Sequence, residues 1–490
     1  MDEEDGLHRI DLVNCKQKAF MIILSTKKLF KILGLGLLVL LVFSCNSESV
    51  VTPTDDEVVL DDDEIEIALE NRLQQVYINT KGVDIVDEPK ISSDAIFITQ
   101  SDTIYNGNLG IEFRGASSQA LFPKKSYGLE TWDENNEDIN VSLFGLPEEE
   151  DWILYGPYSD KTLMRNILIY DLSRDIGQYA SRSLFVDLTI NEEYQGVYVF
   201  MEKLKRDGER IDINKLNDDE NVGEDLTGGY ILKIDKTAGN NLGEGYNDLN
   251  SFISPYDPPN ASMGQKTYFL YEYPDAEDIT VEQKAYISTY ITDFENSLAS
   301  DDFLDADLGY ASFIDMDSFI DFFLLNELAN NVDGYRLSTY MHKDKNEKLK
   351  MGPIWDFNLA FGNADYCEGG STNVWAYKFN ERCPNDFWLV PFWWERLLQD
   401  PAFVSRLKER WITLRGNALS NAAITARIDA YRLQLDKSGS TSLNFEVWPI
   451  LGTYIWPNNF VGASYDQEMG YLKNWIENRL TWLDAQINQL

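Results

Sequence analysis

The sequence predicts an α+β protein, strand-rich in its N-terminal part and helix-rich in its C-terminal part. Three observations carry this. Between 74 and 130, apolar and polar residues alternate in "QQVYINT", "DAIFITQ", "TIYNGNLGIEFRG" and "KKSYGLE", the period of half-buried strands. After 315, apolar residues recur at helical spacing. Strands and helices are segregated rather than alternating, and no G-x-G-x-x-G loop occurs. With 490 residues, 44% of them hydrophobic, the chain can build one or two packed cores.

The elements follow in order. Lys27, Lys28 and Lys31 precede an apolar run over 32–43 that ends at Ser44-Cys45. A membrane span needs about 20 apolar residues, so a basic start and a shorter run predict a signal peptide over 1–45. The stretch "VFSC" resembles a bacterial lipobox, which implies cleavage before Cys45 and its lipidation. The signal is complete from Met21, a candidate true start. Residues 46–72 are polar and acidic and predict a tether. Together these segments predict an exported, membrane-anchored lipoprotein, periplasmic or at the cell surface.

A domain over 73–490 follows. After the first strands, an edge strand is expected at 151–154 and a helix in "KTLMRNILIYDLSRDIG", with Gly177 as its stop. "RSLFVDLTINEEYQGVYVFMEKL" reads as a hairpin turning at 191–195, and "YILKIDK" as a strand. Residues 237–264, rich in Gly, Asn, Asp and Pro, read as an excursion. Helices are expected at 281–298 and in "DMDSFIDFFLLNELANN", the latter capped by Asp315 or Asp317. Three more are expected at 391–415, 419–435 and 468–490.

Charge and composition exclude several classes of function. The formal net charge of −40 would repel nucleic acid, so no nucleic-acid partner is expected. Only two histidines exist, His8 and His342, and His8 falls in the leader. That argues against a His-based zinc site or a Ser-His-Asp triad. Cys367 and Cys383 lie beyond the leader, and an oxidising exported setting favours a disulfide between them.

The chemistry gathers around "GPIWDFNLAFG", residues 352–362. Read as an extended segment, it puts Asp356 and Asn358 on one face and Phe357 and Leu359 on the other. Two oxygen ligands on one edge suit a hard cation such as Mg²⁺. Upstream, a long apolar helix ends at Asn330-Asn331, and Asp333 follows in a turn. Helix, loop with Asp, hairpin, then a second Asp is the order of the catalytic segment in protein kinases. "IEFRGASSQALFPKKSYGLE" reads as a hairpin with a small-residue tip followed by Lys124-Lys125, and "YVFMEKL" as a strand leading to a hinge at Glu202.

These stretches, with "DWILYGPYSDKTLMRNIL", "NEEYQGVYVFMEKLKRDGERIDINKL" and "GGYILKIDK", resemble the CotH kinase family, related to a bacterial spore-coat protein H. The resemblance spans about 111–363, in family order. It implies an atypical protein-kinase-like fold, with an N-lobe over about 73–203 and a C-lobe over about 204–490. It further implies ATP and Mg²⁺ (or Mn²⁺) as cofactors, and a protein substrate phosphorylated on Ser or Thr. Asp333 matches the catalytic Asp and Asp356 the metal-binding Asp. Lys125, or Lys124, stands where the phosphate-contacting Lys is expected, and Arg114, Arg165 and Glu202 fall on recurrent family positions. Two positions depart from the family. Ser338 is nearest to where an Asn usually follows the catalytic Asp, and Asn358 replaces a second acid. Both departures are expected to weaken the grip on the metal. The helix at 161–176 offers Asp171 and Asp175 but no Glu to pair Lys125. The alternative function is a non-catalytic surface lipoprotein that binds glycans or a partner protein. It would use Tyr366, Trp375, Tyr377, Phe379, Phe387, Trp388, Trp393 and Trp394.

Overall fold

The alternating N-terminal runs close into a barrel in the computed structural model, which describes residues 71–100, 102–237 and 245–490. The signal peptide, Cys45 and the tether up to residue 70 lie outside the described residues. The barrel strands are β1 (Gln74–Asn79), β2 (Ile91–Thr99), β3 (Asp102–Arg114), β4 (Ser126–Trp132), β5 (Asp151–Tyr155), β6 (Ser183–Ile190) and β7 (Glu193–Glu202). Their order is β1-β2-β3-β4-β5-β7-β6, closed by parallel pairing of β6 with β1. Period two explains the interior: Val76 and Ile78 of β1, Phe97 of β2, Leu109 and Ile111 of β3, and Phe200 of β7 all point inward. Trp152 stacks on Phe200 with ring centroids 5.1 Å apart.

The chain leaves the barrel twice. Between β3 and β4 it forms the short helix α1 (Ser117–Leu121); between β5 and β6 it forms α2 (Arg165–Asp175). The side chains Leu163, Ile167, Leu168 and Leu172 of this second excursion join the core of the helical half. That core also takes Val197, Val199 and Met201 from the outer face of β7, so the two halves share one packed interior.

A second sheet has the order β12-β11-β8-β10-β9. Its strands are β8 (Tyr230–Ile234), β9 (Ser251–Ile253), β10 (Tyr268–Tyr273), β11 (Thr339–Lys343) and β12 (Lys350–Met351). The stretch read as an excursion thus supplies an edge strand, β9, whose three residues pair with β10. α3 (Val281–Ala299) begins with a capping box between Thr280 and Gln283. α4 (Met316–Ala329) is capped by Asp315, whose carboxylate accepts from the Ser318 N–H at 2.9 Å.

The helix expected over 391–415 is two helices. After α5 (Phe379–Arg382) come α6 (Trp393–Leu397) and α7 (Pro401–Arg415). Asp400 caps α7 and Pro401 occupies its first turn, where a missing N–H costs nothing. α8 (Asn421–Lys437), α9 (Ser440–Val447) and α10 (Tyr465–Ile487) complete the chain. α9 was not expected; it packs against the barrel, where the Asn444 Oδ1 accepts from the Val197 N–H at 3.1 Å. Cys367 and Cys383 are bonded to each other, with Cα atoms 5.8 Å apart. Among the described residues, no helix is long and apolar enough to cross a membrane.

Candidate active site

A cavity of about 760 Å³ opens between the barrel and the helical half. β3 brings Arg114 to its wall, followed by Gly115-Ala116-Ser117-Ser118. The end of β8 brings Asp235 and Lys236, the loop after α4 brings Asp333 and Ser338, and the segment after β12 brings Asp356 and Asn358. The floor is apolar and aromatic: Ile153, Tyr155, Tyr170, Met201 and Trp355.

Asp333 is placed by how α4 ends. Asn330 adopts the left-handed conformation, φ 42°, and its side-chain amide donates to the carbonyls of Glu368, Gly369 and Ser371. The Asn331 side chain then accepts from the Asp333 N–H at 3.2 Å. Arg336 holds the Asp333 carboxylate at 3.0 Å and bridges to Asp386, also at 3.0 Å. Its guanidinium lies 4.0 Å from the centre of the Phe379 ring. The Tyr366 hydroxyl reaches the same Asp333 oxygen at 3.5 Å. One Asp333 oxygen is thus restrained from two sides while the residue still faces the cavity.

Asp356 is held differently. The expected extended segment is not a strand: β12 ends at Met351, and 352–357 carries no regular structure. Asp356 has φ +60°, the left-handed region that costs a non-glycine residue conformational energy. Strict alternation therefore fails, although Asp356 and Asn358 both reach the cavity. Among the described residues, none donates a hydrogen bond to the Asp356 carboxylate. Burial, then the neighbouring charge of Asp333, push its pKa up to about 7. Burial also raises Asp235, whose carboxylate meets the Ser338 hydroxyl at 3.5 Å.

The lysines expected at the phosphates are elsewhere. Lys125 donates to the carbonyls of Gln119 and Phe122 at 2.5 and 2.7 Å, closing the end of α1. Lys124 is buried and donates to the Val197 carbonyl at 2.7 Å and to the Asn444 side chain at 2.8 Å. Neither lines the cavity. The cations that do are Arg114, Arg336, already engaged with Asp333 and Asp386, Lys236, whose ammonium rests 2.9 Å from the Ser117 hydroxyl, and Lys233, paired with Glu272 at 2.7 Å. Glu202 is also spent: its carboxylate accepts from the Arg182 Nε and backbone N–H, both at 2.9 Å, and from Tyr179 at 3.2 Å. Arg165 is buried against Asp160 at 2.5 Å and donates to the Ala360 carbonyl at 3.1 Å. Asp171 and Asp175 pair with Arg427 of α8.

The expected set therefore splits. Arg114, Asp333, Ser338, Asp356 and Asn358 share the cavity, whereas Lys125, Arg165 and Glu202 do not line it. Sequence reasoning missed Asp235, Lys236 and Arg336. The signal for the first two was present in "YILKIDK", an apolar strand ending in an acid and a base.

Asp333 and Asp356 now stand in family order at one cavity. A family model described as CotH kinase protein matches residues 111–483, well over half of the chain. The chain belongs to the CotH kinase family. No curated protein matches it. The family match carries the kinase-like character of the chain through α10, whose Tyr471 hydroxyl donates to the Gly362 carbonyl at 2.9 Å behind the Asp356 segment.

Proposed function

We propose that the chain is an atypical protein kinase that transfers phosphate from ATP, with Mg²⁺ or Mn²⁺, to Ser or Thr of a protein substrate. The observation that supports this best is one cavity shared by Asp333, Asp356 and the cations Arg114 and Lys236. Its volume suits a nucleotide-sized ligand.

The donors fit a hard divalent cation. Asp356 offers an uncommitted carboxylate, and Asn358 an amide oxygen. Among the described residues, the only three acids with closely converging oxygens are Glu149, Glu150 and Asp151, and Lys205 already engages them. At the cavity the carboxylates do not close a cage, which suits Mg²⁺: it commonly takes one or two carboxylates and completes its shell with phosphate oxygens and water. The bound nucleotide and cation supply the transferable phosphoryl group and the countercharge for its oxygens. The remaining work falls to this chain. Asp333, oriented by Arg336 and Tyr366, accepts the proton of the acceptor hydroxyl. Arg114 and Lys236 attract the phosphates, and the apolar floor around Tyr155 and Met201 takes the base.

The leader belongs to the same proposal: an exported lipoprotein anchored through lipidated Cys45. Incorporation of labelled palmitate that survives Cys45→Ser would refute the anchor. The glycan- or partner-binding alternative loses most of its aromatic residues to the interior. Tyr377, Phe379, Trp393 and Trp394 are buried and Trp375 packs on the core, leaving Tyr366, Phe387 and Trp388 at the cavity.

The test is incubation of the protein from residue 46 onward with labelled ATP, Mg²⁺ or Mn²⁺ and a generic protein acceptor. Label on the protein or the acceptor is expected, and Asp356→Ala is expected to abolish it. No label and no nucleotide-induced rise in melting temperature would refute the kinase reading.

A further inference from the structure

The backbone around Asp356 raises a question the kinase reading leaves open. A non-glycine residue at φ +60° persists only where its surroundings over-determine it. No sheet does this here, because β12 has ended five residues earlier. The N–H groups of Asp356 and Phe357 still need partners.

Both partners come from one helix. The Phe357 N–H donates to the Asn166 side-chain oxygen at 2.8 Å, and the Asp356 N–H donates to the Tyr170 hydroxyl at 3.2 Å. Asn166 and Tyr170 are four residues apart in α2, so they share a face. Arg165 adds a third grip through the Ala360 carbonyl at 3.1 Å. The Tyr170 ring also stacks on Trp355, 16° from parallel with centroids 5.9 Å apart. All three α2 side chains are buried: Arg165 and Tyr170 are 1% exposed and Asn166 is 4%. The chain thus spends three buried polar side chains of one helix on the backbone of 356–360. A helix serving only the core would carry apolar residues there.

Resting on the kinase reading, we infer that α2 is the positioning element for the metal-holding carboxylate, with Asn166 and Tyr170 as positioning residues. They fix the two peptide groups that flank the Asp356 Cα and so set the direction in which its carboxylate points. This gives a task to α2, which carries no Glu to pair Lys125. Its acids face α8 through Arg427, and its polar contacts grip the Asp356 segment.

The test uses Tyr170→Phe, which removes one oxygen and keeps the ring stacked on Trp355. Asn166→Leu removes the second acceptor, and Asn166→Asp retains an acceptor at that place. Mn²⁺ binding to the ATP complex, read by calorimetry, is expected to weaken roughly 5- to 10-fold in Tyr170→Phe, the scale of one lost hydrogen bond. Asn166→Leu should weaken it similarly, and Asn166→Asp should restore it to within roughly twofold. In Asn166→Leu, KM for the protein acceptor should stay unchanged, while kcat falls. Amide exchange in the peptide spanning 354–361 should rise in the two disruptive variants and not elsewhere. A merely structural role would lower melting temperature and leave Mn²⁺ affinity intact; that result, with unchanged exchange in 354–361, overturns the inference. Wild-type protein that binds no Mn²⁺–ATP at all overturns the kinase reading, and this inference with it.

Discussion

Asp356→Asn separates what this carboxylate does for binding from what it does to stability. In metal-free buffer the group sits at a folded-state pKa of about 7, against 3.8 in the unfolded chain, because burial and then Asp333 oppose its charge. A folded value above the unfolded one favours folding of the protonated form. The contribution is fully present below about pH 4 and is lost as pH rises through about 7. A shift of about 3 units corresponds to about 4 kcal/mol, and partial solvent access at the cavity wall brings this to about 2–4 kcal/mol. Asn cannot ionise and escapes the penalty. At an unfolding entropy of about 2.1 cal/mol/K per residue, 1 kcal/mol is worth about 1 °C in a domain of this size. The Asp356→Asn protein should therefore melt about 2–4 °C above wild type at pH 8, with the gap shrinking to about 1 °C near pH 4.5. Differential scanning fluorimetry in EDTA reads this directly. Adding Mg²⁺–ATP should raise wild type and leave the variant unmoved, so the gap narrows or reverses. A variant that melts at or below wild type at pH 8 without metal would refute the assignment of a strained, unpaired carboxylate.

Asn358→Asp should tighten Mn²⁺ binding roughly tenfold at pH 8, the scale of about 1.4 kcal/mol from one added charge at the site, as read by calorimetry; unchanged affinity would place residue 358 outside the metal's reach. Glu295 is buried beside the Trp393 indole N–H at 2.8 Å and the Ser254 hydroxyl at 2.9 Å, and burial pushes its pKa up to about 7. Its contribution is also lost as pH rises through about 7, so Glu295→Gln should flatten the fall in melting temperature between pH 5 and 8; a fall identical to wild type would count against it. Arg479→Met strands the Glu327 carboxylate, which shares a wholly buried pair with it at 3.2 Å, and should cost about 3–5 kcal/mol in urea unfolding. The double variant Glu327→Gln, Arg479→Met should recover part of that loss, and a fully additive double variant would refute the pairing.

Much of the fold was legible because its signals are local. Period-two patterning located β1 to β4, and the Asp315 cap with a broad apolar run located α4. The division of the helix expected over 391–415 escaped although its signal is local: Asp400-Pro401 is a cap followed by a first-turn proline. The lysines escaped because their partners leave no mark in the strand pattern. Lys124 and Lys125 follow a small-residue turn, as a phosphate-binding lysine would. Their direction is set instead by Asn444, 320 positions away from Lys124, and by the carbonyls at the end of α1. The alternation assumed for "WDFNLAFG" failed because Asp356 takes a left-handed conformation, for which an aspartate between two aromatic residues gives no local signal.

The reassignment of the cations bears on how this member of the family can work. A lysine on the returning strand would tie phosphate binding to the barrel alone. Arg114 comes from the barrel, but Lys236 follows β8 of the second sheet and reaches back to Ser117 beside α1. The positive charge facing the acids is therefore assembled across the two halves, whereas the acids Asp235, Asp333 and Asp356 all come from the second sheet and the segments that flank it. α9 joins the halves a second time, through Asn444 to Lys124 and Val197, and through Ser440 to Asp187 at 2.8 Å. Under the kinase proposal, a phosphate site built across this seam would be only as well defined as the seam. Of the two lysines expected at the phosphates, Lys125 closes the end of α1 and Lys124 serves that seam, while Arg114 and Lys236 line the cavity.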